Sequence, residues 1–367
     1  MSLMNPPSRV VLFSRIAPGS VGGLANYQRH LAAELEARGI AETVFFGSEL
    51  PVNSCWASLD SRPRLLGLLQ HWIASTLKPE TQAVASPALQ AVHFVGTGWD
   101  FIGFAAHALA RKAGARFTIW PAVHPRQWGD DQIDLRLYNL ADTVFCQSQN
   151  EAAHLEARGL ERGKATLSGL PPMCRPDGRG ERLRERLDLG DRPLVFFLGA
   201  RIEAKGYPFL LDAWQRVLER FPDAVLLLAG PGGEAFAPRL AALPPGSVRD
   251  LGVVDEAEKA DAYAACNLFC LPSAHESFGI VYAEAWSYGK PVICGPAPAP
   301  REWVRDGETG LHCEQTPGSV AAALERLLGD PVTCRRLGEA GRAFQQEHLT
   351  WEQVARLHAT AFGLSSP

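Results

Sequence analysis

No run of the 367 residues approaches the ~18 consecutive apolar positions that a bilayer-spanning helix needs, and no charged start leads into an apolar core at the N-terminus. An integral helical membrane protein and a secretory leader are therefore not expected. No CxxC pair occurs among the eight cysteines, most of which lie in apolar, strand-like runs. That favours buried, reduced thiols in a cytoplasmic protein over a zinc site or a disulfide framework. The formal charge of −4 excludes bulk attraction to nucleic acid as the main business of the chain. Internal repeats and low-complexity tracts are missing too, which sets aside solenoids and disordered tails. Lysine is scarce, with six among 36 cationic residues, so a lysine in a glycine-rich setting draws notice. What remains is ordinary globular composition, 46% hydrophobic and 21% charged, at a length suited to two α/β domains.

Short apolar strands alternate with amphipathic helices from end to end, the pattern of parallel α/β layers. Strands are expected at Val10–Phe13, Thr43–Phe46, Ala91–Val95, Phe117–Trp120 and Thr143–Cys146. The segment Leu170–Gly180, with three prolines and two glycines, breaks the rhythm and reads as a linker. Alternation then resumes at Leu194–Leu198, Val225–Leu228, Leu268–Cys270 and Val292–Cys294, and helices close the chain. The expected fold is two Rossmann-like domains facing each other across a cleft, over residues 1–172 and 180–349. Such sheets bind ligands outside the carboxyl ends of their strands.

Three connections there carry candidate chemistry. Gly19–Gly23 lies between the first strand and a helix, where paired glycines admit a ligand close to the backbone, or simply make a tight turn. Gly199–Gly206 places Arg201 and Lys205 on one loop, suited to a diphosphate as fork and point charge, or standing as solvated cations. In Ser273–Trp286 a strand ends at Pro272 and a helix is expected from about Ser277 or Phe278. Amides near Gly279 and Ile280 would then face a phosphate. Glu284, deeper on that helix, could accept from vicinal ribose hydroxyls, and Glu276 would reach what the phosphate carries; otherwise both are solvated helix charges.

The Glu276 and Glu284 pair around Phe278-Gly279 resembles the signature of retaining glycosyltransferases of family 4, with the GT-B fold. Similar to the same family are the Gly22-Gly23 loop, the Gly199–Gly206 loop, the run Ala141–Ser148, and the stretch from Trp286 through Gly289-Lys290-Pro291 to Asp306–Gly310. The likeness spans nearly the whole chain in order. One departure is Leu167–Pro172, where family members often carry an Asn-Gly-Val-Asp-like turn.

The resemblance implies that Arg201 and Lys205 neutralise a donor diphosphate, helped by the Gly22-Gly23 loop and by amides over Ser277, Phe278, Gly279 and Ile280. It implies that Glu284 holds the ribose, that Glu276 contacts the donor sugar, and that His124 stands beside the transferred sugar; taken alone, His124 is a structural hydrogen-bonder. The last helix, in residues 350–367, is implied to return to the first domain. The function implied is transfer of a hexose-type sugar from a nucleotide-diphosphate sugar, UDP preferred over GDP, to a hydroxyl acceptor on a glycan, lipid or small molecule. Polysaccharide or glycoconjugate synthesis would be the setting. With two side-chain cations in place, no metal and no separate cofactor is expected. Asp130, Asp131 and Asp134 read as a helix start. Retention would follow front-face substitution, in which the leaving phosphate helps deprotonate the acceptor.

A sugar-nucleotide epimerase or hydrolase on the same fold would use the same donor pocket. A nicotinamide dehydrogenase is disfavoured by the incomplete glycine fingerprint and the missing acid after Phe46. The apolar segment 62–78, flanked by Arg62 and Lys78, could rest on the inner membrane face and receive a lipid-linked acceptor, although covering the first sheet or lining the acceptor cleft is the plainer reading.

Overall fold

The computed structural model describes residues 9–14, 23–47, 89–100, 102–121 and 123–364. Gly22 and the segment 62–78 lie outside them. The chain forms two units, one of residues 1–169 with 351–367, the other of residues 170–350.

In the first unit a parallel sheet runs β2-β1-β3-β4-β5-β6, from Glu42–Gly47, Arg9–Ser14, Leu89–Val95, Arg116–Trp120, Thr143–Cys146 and Ala165–Leu167 respectively. Strand order reverses between β1 and β3, the position at which such sheets leave a ligand crevice. Val11, Phe13, Val92, Phe94, Phe117, Ile119 and Val144 are buried, as strands covered on both faces require.

The helix Trp351–Phe362 returns to this unit, as the family resemblance implies. His358 stacks on Phe145 with ring centroids 3.8 Å apart and bonds Tyr27 Oη at 2.6 Å. Its Nδ1 lies 2.7 Å from the Val354 carbonyl oxygen, which can only accept. The ring is therefore protonated on Nδ1, and Nε2 accepts from the Tyr27 hydroxyl.

The second unit has a parallel sheet of order β12-β11-β10-β7-β8-β9. In chain order its strands are β7 (Leu194–Leu198), β8 (Val225–Ala229), β9 (Val248–Asp250), β10 (Leu268–Leu271), β11 (Val292–Cys294) and β12 (Gly310–His312). Its order reverses between β7 and β10, which pair directly through Leu268 with Val195 and Phe269 with Phe196. The connection after β7 carries Arg201 and Lys205, and the one after β10 carries Glu276 and leads into the helix that bears Glu284.

The expected linker is not a free connection. Residues 170–180 pack on the second unit: Tyr288 Oη donates to the Arg175 carbonyl at 2.6 Å and receives the Gly178 amide at 3.2 Å. The Arg179 amide donates to Asp261 at 2.7 Å. Gly178 and Gly180 lie so close to the helix Glu256–Ala265 that an added Cβ would fall within 2.1 Å of the Ala260 carbonyl oxygen and 2.7 Å of the Ala264 backbone.

Candidate functional site

Two loops of the second unit are stitched together at the sheet's reversal point. The Ala274 amide donates to the Ala204 carbonyl at 2.9 Å, and Gln315 Nε2 donates to both Pro272 and Ala204 carbonyls at 2.9 and 3.1 Å. Gly206 has φ +76°, and a Cβ there would stand 2.2 Å from the Pro272 oxygen, so both the turn and the close approach require glycine.

This contact sets Lys205 beside the second loop. Its Nζ donates to Glu276 Oε1 at 2.8 Å and to the His275 carbonyl at 3.1 Å. Both side chains are mostly buried, so this is a tight ion pair and not a pair of solvated charges.

Arg201 is buried and bonded bidentately to Asp250 on β9, at 2.6 and 2.5 Å. Among the described residues its Nε has no partner. Asp250 also accepts the Gly252 amide at 2.8 Å, so the acid ties the Arg201 loop to the loop 251–254. Arg201 touches the loop after β8 as well: its backbone pairs with Gly232, and a Cβ on Gly233 would meet its Cδ at 3.0 Å. The sequence offers Arg201 as a diphosphate ligand or, failing that, a solvated cation, and gives no sign of the aspartate.

The helix after β10 starts later than expected, at Ile280, and runs to Ser287. Gly279 precedes it in a left-handed conformation, φ +82°, while Phe278 turns inward to stack on Trp303 at 5.0 Å. Ser277 and Phe278 are therefore loop residues. Among the described residues no protein acceptor takes up the amides of Gly279 and Ile280, the free N–H groups of a helix start.

Glu284 is buried, and both its oxygens are engaged: Lys259 Nζ reaches Oε1 at 3.2 Å and Tyr263 Oη donates to Oε2 at 3.1 Å. Burial raises the carboxyl's pKa, and Lys259 offsets that only in part. Burial would lower the Lys259 pKa, yet the attraction of Glu284 and Glu256 holds it above the usual lysine value. Carboxylate oxygens have lone pairs beyond these two bonds, so Glu284 is an oriented acceptor rather than a spent one. Lys259 and Tyr263 were not singled out in the sequence; the scarcity of lysine was the available signal.

In the first unit, His124 follows β4 and pairs with Trp128, its amide donating to the Trp128 carbonyl at 3.2 Å. The preceding Val123 amide donates to the buried Glu151 carboxylate at 2.9 Å, a contact across 28 residues that no local pattern reveals. Asp131 and Asp134 begin the helix Gln132–Tyr138, as expected. Gly23 opens the helix Gly23–Ala37, and Gly22 is outside the described residues.

A family model described as glycosyl transferases group 1 matches residues 180–344, which include every site residue of the second unit. A GDP-mannose-dependent alpha-(1-6)-phosphatidylinositol monomannoside mannosyltransferase of Mycolicibacterium smegmatis is 31% identical over 320 residues, 77% of this chain and 80% of the relative. The chain is a group 1 glycosyl transferase. Its motifs are those of family 4, and its two parallel-sheet units are those of the GT-B fold. This glycosyltransferase is also similar to the Mycobacterium tuberculosis protein of the same description, 29% identical over 386 residues and covering 95% of this chain and 96% of that one.

Among solved structures it shares its fold with Anabaena HepE in complex with UDP and glucose: TM-score 0.70, 17% identity, 96% of this chain and 99% of that one. Sucrose-phosphate synthase of Thermosynechococcus elongatus gives a TM-score of 0.70 at 21% identity, covering 97% of this chain and 98% of that one. The donor class follows from the family: the glycosyltransferase draws on a nucleotide sugar.

Proposed function

We propose that this glycosyltransferase moves mannose from GDP-mannose, with retention and without a metal, to a hydroxyl of a phosphatidylinositol-based glycolipid. The 31% identity to an enzyme described as acting with GDP-mannose on such an acceptor shifts the donor from the UDP sugar preferred on sequence to a GDP sugar. The base would lie against Gly230–Gly233 and residues 251–254. An acceptor of this kind would bring the enzyme to the membrane surface; among the described residues no helix is long and apolar enough to cross a membrane.

The observation that carries the site assignment is the Lys205–Glu276 pair, 2.8 Å apart where the second sheet reverses. Breaking the bond between the anomeric carbon and the diphosphate builds negative charge on the leaving oxygen and positive charge on the sugar. Lys205, Arg201 and the amides of Gly279 and Ile280 would stabilise the first. For this Arg201 must exchange Asp250 for the diphosphate. Glu276 would receive sugar hydroxyls, Glu284 the ribose, and His124 of the first unit the transferred sugar. The departing phosphate would take the acceptor's proton on the face it leaves.

Calorimetric titration of the full chain with GDP, UDP and ADP without metal, followed by NMR of the product anomer, tests this reading. Micromolar GDP binding, weakened by Lys205→Ala and Glu284→Ala, with an α-linked product, is expected. Turnover of donor to an epimer without acceptor would sink the transfer proposal, and absence of nucleotide binding would sink the site.

A further inference from the structure

The turn that bears His124 is built more firmly than a surface connection needs. Glu151 accepts the Val123 amide through Oε1 at 2.9 Å and the Gln147 amide through Oε2 at 2.6 Å, so one buried carboxylate pins the chain after β4 to the chain after β5. Arg126, at the tip, holds a left-handed φ of +64° with its amide 3.0 Å from Asp130 Oδ2. Below the turn, Tyr138 Oη donates to the Gly129 carbonyl at 3.0 Å. A non-glycine residue in that conformation is strained and persists only where its surroundings enforce it.

Out of this frame stands Trp128, 41% exposed, its ring centroid 5.6 Å from that of His124 and the planes 26° apart. A large indole held in water on a fixed backbone, beside a hydrogen-bonding imidazole, offers one flat apolar face and one polar edge. A polyhydroxylated ring presents the complementary pair, C–H groups on its face and hydroxyls at its rim.

We infer that Trp128 is an acceptor subsite, stacking a polyhydroxylated ring, sugar or cyclitol, while His124 meets that ring's hydroxyls. The inference rests on the preceding proposal, which places His124 beside the reacting sugar. The Glu151 carboxylate is the positioning group that fixes the turn.

Mannose transfer from radiolabelled GDP-mannose by the full chain tests it, with phosphatidylinositol and phosphatidylinositol monomannoside as alternative acceptors in detergent micelles. For Trp128→Ala the acceptor KM is expected to rise about tenfold, the effect of one aromatic stacking contact, with donor KM and GDP affinity unchanged. Trp128→Phe should restore most of the loss. A rise with phosphatidylinositol assigns the stacked ring to the cyclitol; a rise confined to the mannoside assigns it to the sugar. An unchanged acceptor KM for both overturns the subsite while the transferase reading stands. So does a loss of GDP affinity in step with the acceptor effect, which would mean a general structural defect. No transfer by the wild-type chain to either acceptor overturns the functional reading, and the subsite with it.

Discussion

Arg201 and Asp250 are joined by two parallel hydrogen bonds of 2.6 and 2.5 Å, with the guanidinium buried and the carboxylate about one-third exposed. The cation proposed for the donor diphosphate is thus already neutralised by an internal anion, which a diphosphate would have to displace. Asp250→Ala leaves a buried charge unpaired and should lower the stability of the free protein by about 1–3 kcal/mol. It should also remove the competitor, so GDP should raise the variant's melting temperature by more than it raises the wild type's. Differential scanning fluorimetry with and without GDP reads both effects; a smaller GDP shift in the variant would show that Asp250 assists binding.

Lys205 and Glu276 make the second pair. Lys205→Ala removes the proposed charge-assisted bond to the diphosphate and should weaken GDP about 10- to 100-fold. Glu276→Gln should leave GDP affinity near wild type and depress turnover with GDP-mannose, because its proposed partner is the sugar. Titration and single-turnover kinetics separate the two, and equal loss of GDP binding in both variants would contradict the division of roles.

Lys259 supports Glu284 from within the core. Lys259→Met should cost about 3 kcal/mol near neutral pH, since it strands a buried carboxylate. Burial already raises the Glu284 pKa, and losing Lys259 raises it further. A carboxyl whose folded pKa lies above its unfolded one contributes stability at low pH that is lost as pH rises through the folded value. The deficit of Lys259→Met relative to wild type should therefore shrink on acidification, which urea melts at pH 5 and pH 8 will show.

His358 sits at the opposite sign. Burial depresses its pKa to about 3, and neighbouring His93 is lowered well below the usual histidine value by burial and by His358. Below the unfolded value near 6.5 the unfolded chain binds more protons, so stability falls with acidification by about 1.4 kcal/mol per pH unit for each such histidine. The loss continues down to the folded pKa. The first unit should be the acid-labile one, releasing the helix Trp351–Phe362, and His358→Gln should flatten the dependence between pH 6.5 and 4.5. Hydrogen exchange resolved by segment is the measurement; equal protection of that helix at pH 7 and pH 5 would refute it.

Sequence legibility followed element length. Strands of four or more apolar residues, such as Leu194–Leu198 and Val225–Ala229, stood out because both their faces are buried. The edge strands β6, β9 and β12, three residues each, leave no such run, whereas the equally short β11 is legible because Val292-Ile293-Cys294 is wholly apolar and buried. Missing β9 meant missing Asp250. The helix at Ile280 was placed two or three residues early because Phe278 continues an apolar pattern; Gly279 and the Trp303 stack end it there.

The linear pattern alone determined that there would be two parallel-sheet units, and it singled out the connections after β7 and β10, with Arg201, Lys205, Glu276 and Glu284, as the candidate site. Spacing and residue type suffice for that, because strand alternation dictates the sheet and the sheet dictates where its open loops lie. The partners were decided by tertiary structure alone: Asp250 for Arg201, 49 residues on, Lys259 for Glu284, 25 residues back, and Glu151 for the His124 turn, 28 residues beyond Val123. Each is a buried charge or amide that must be satisfied by whatever polar group the packing brings near, and packing neighbours leave no period in the chain.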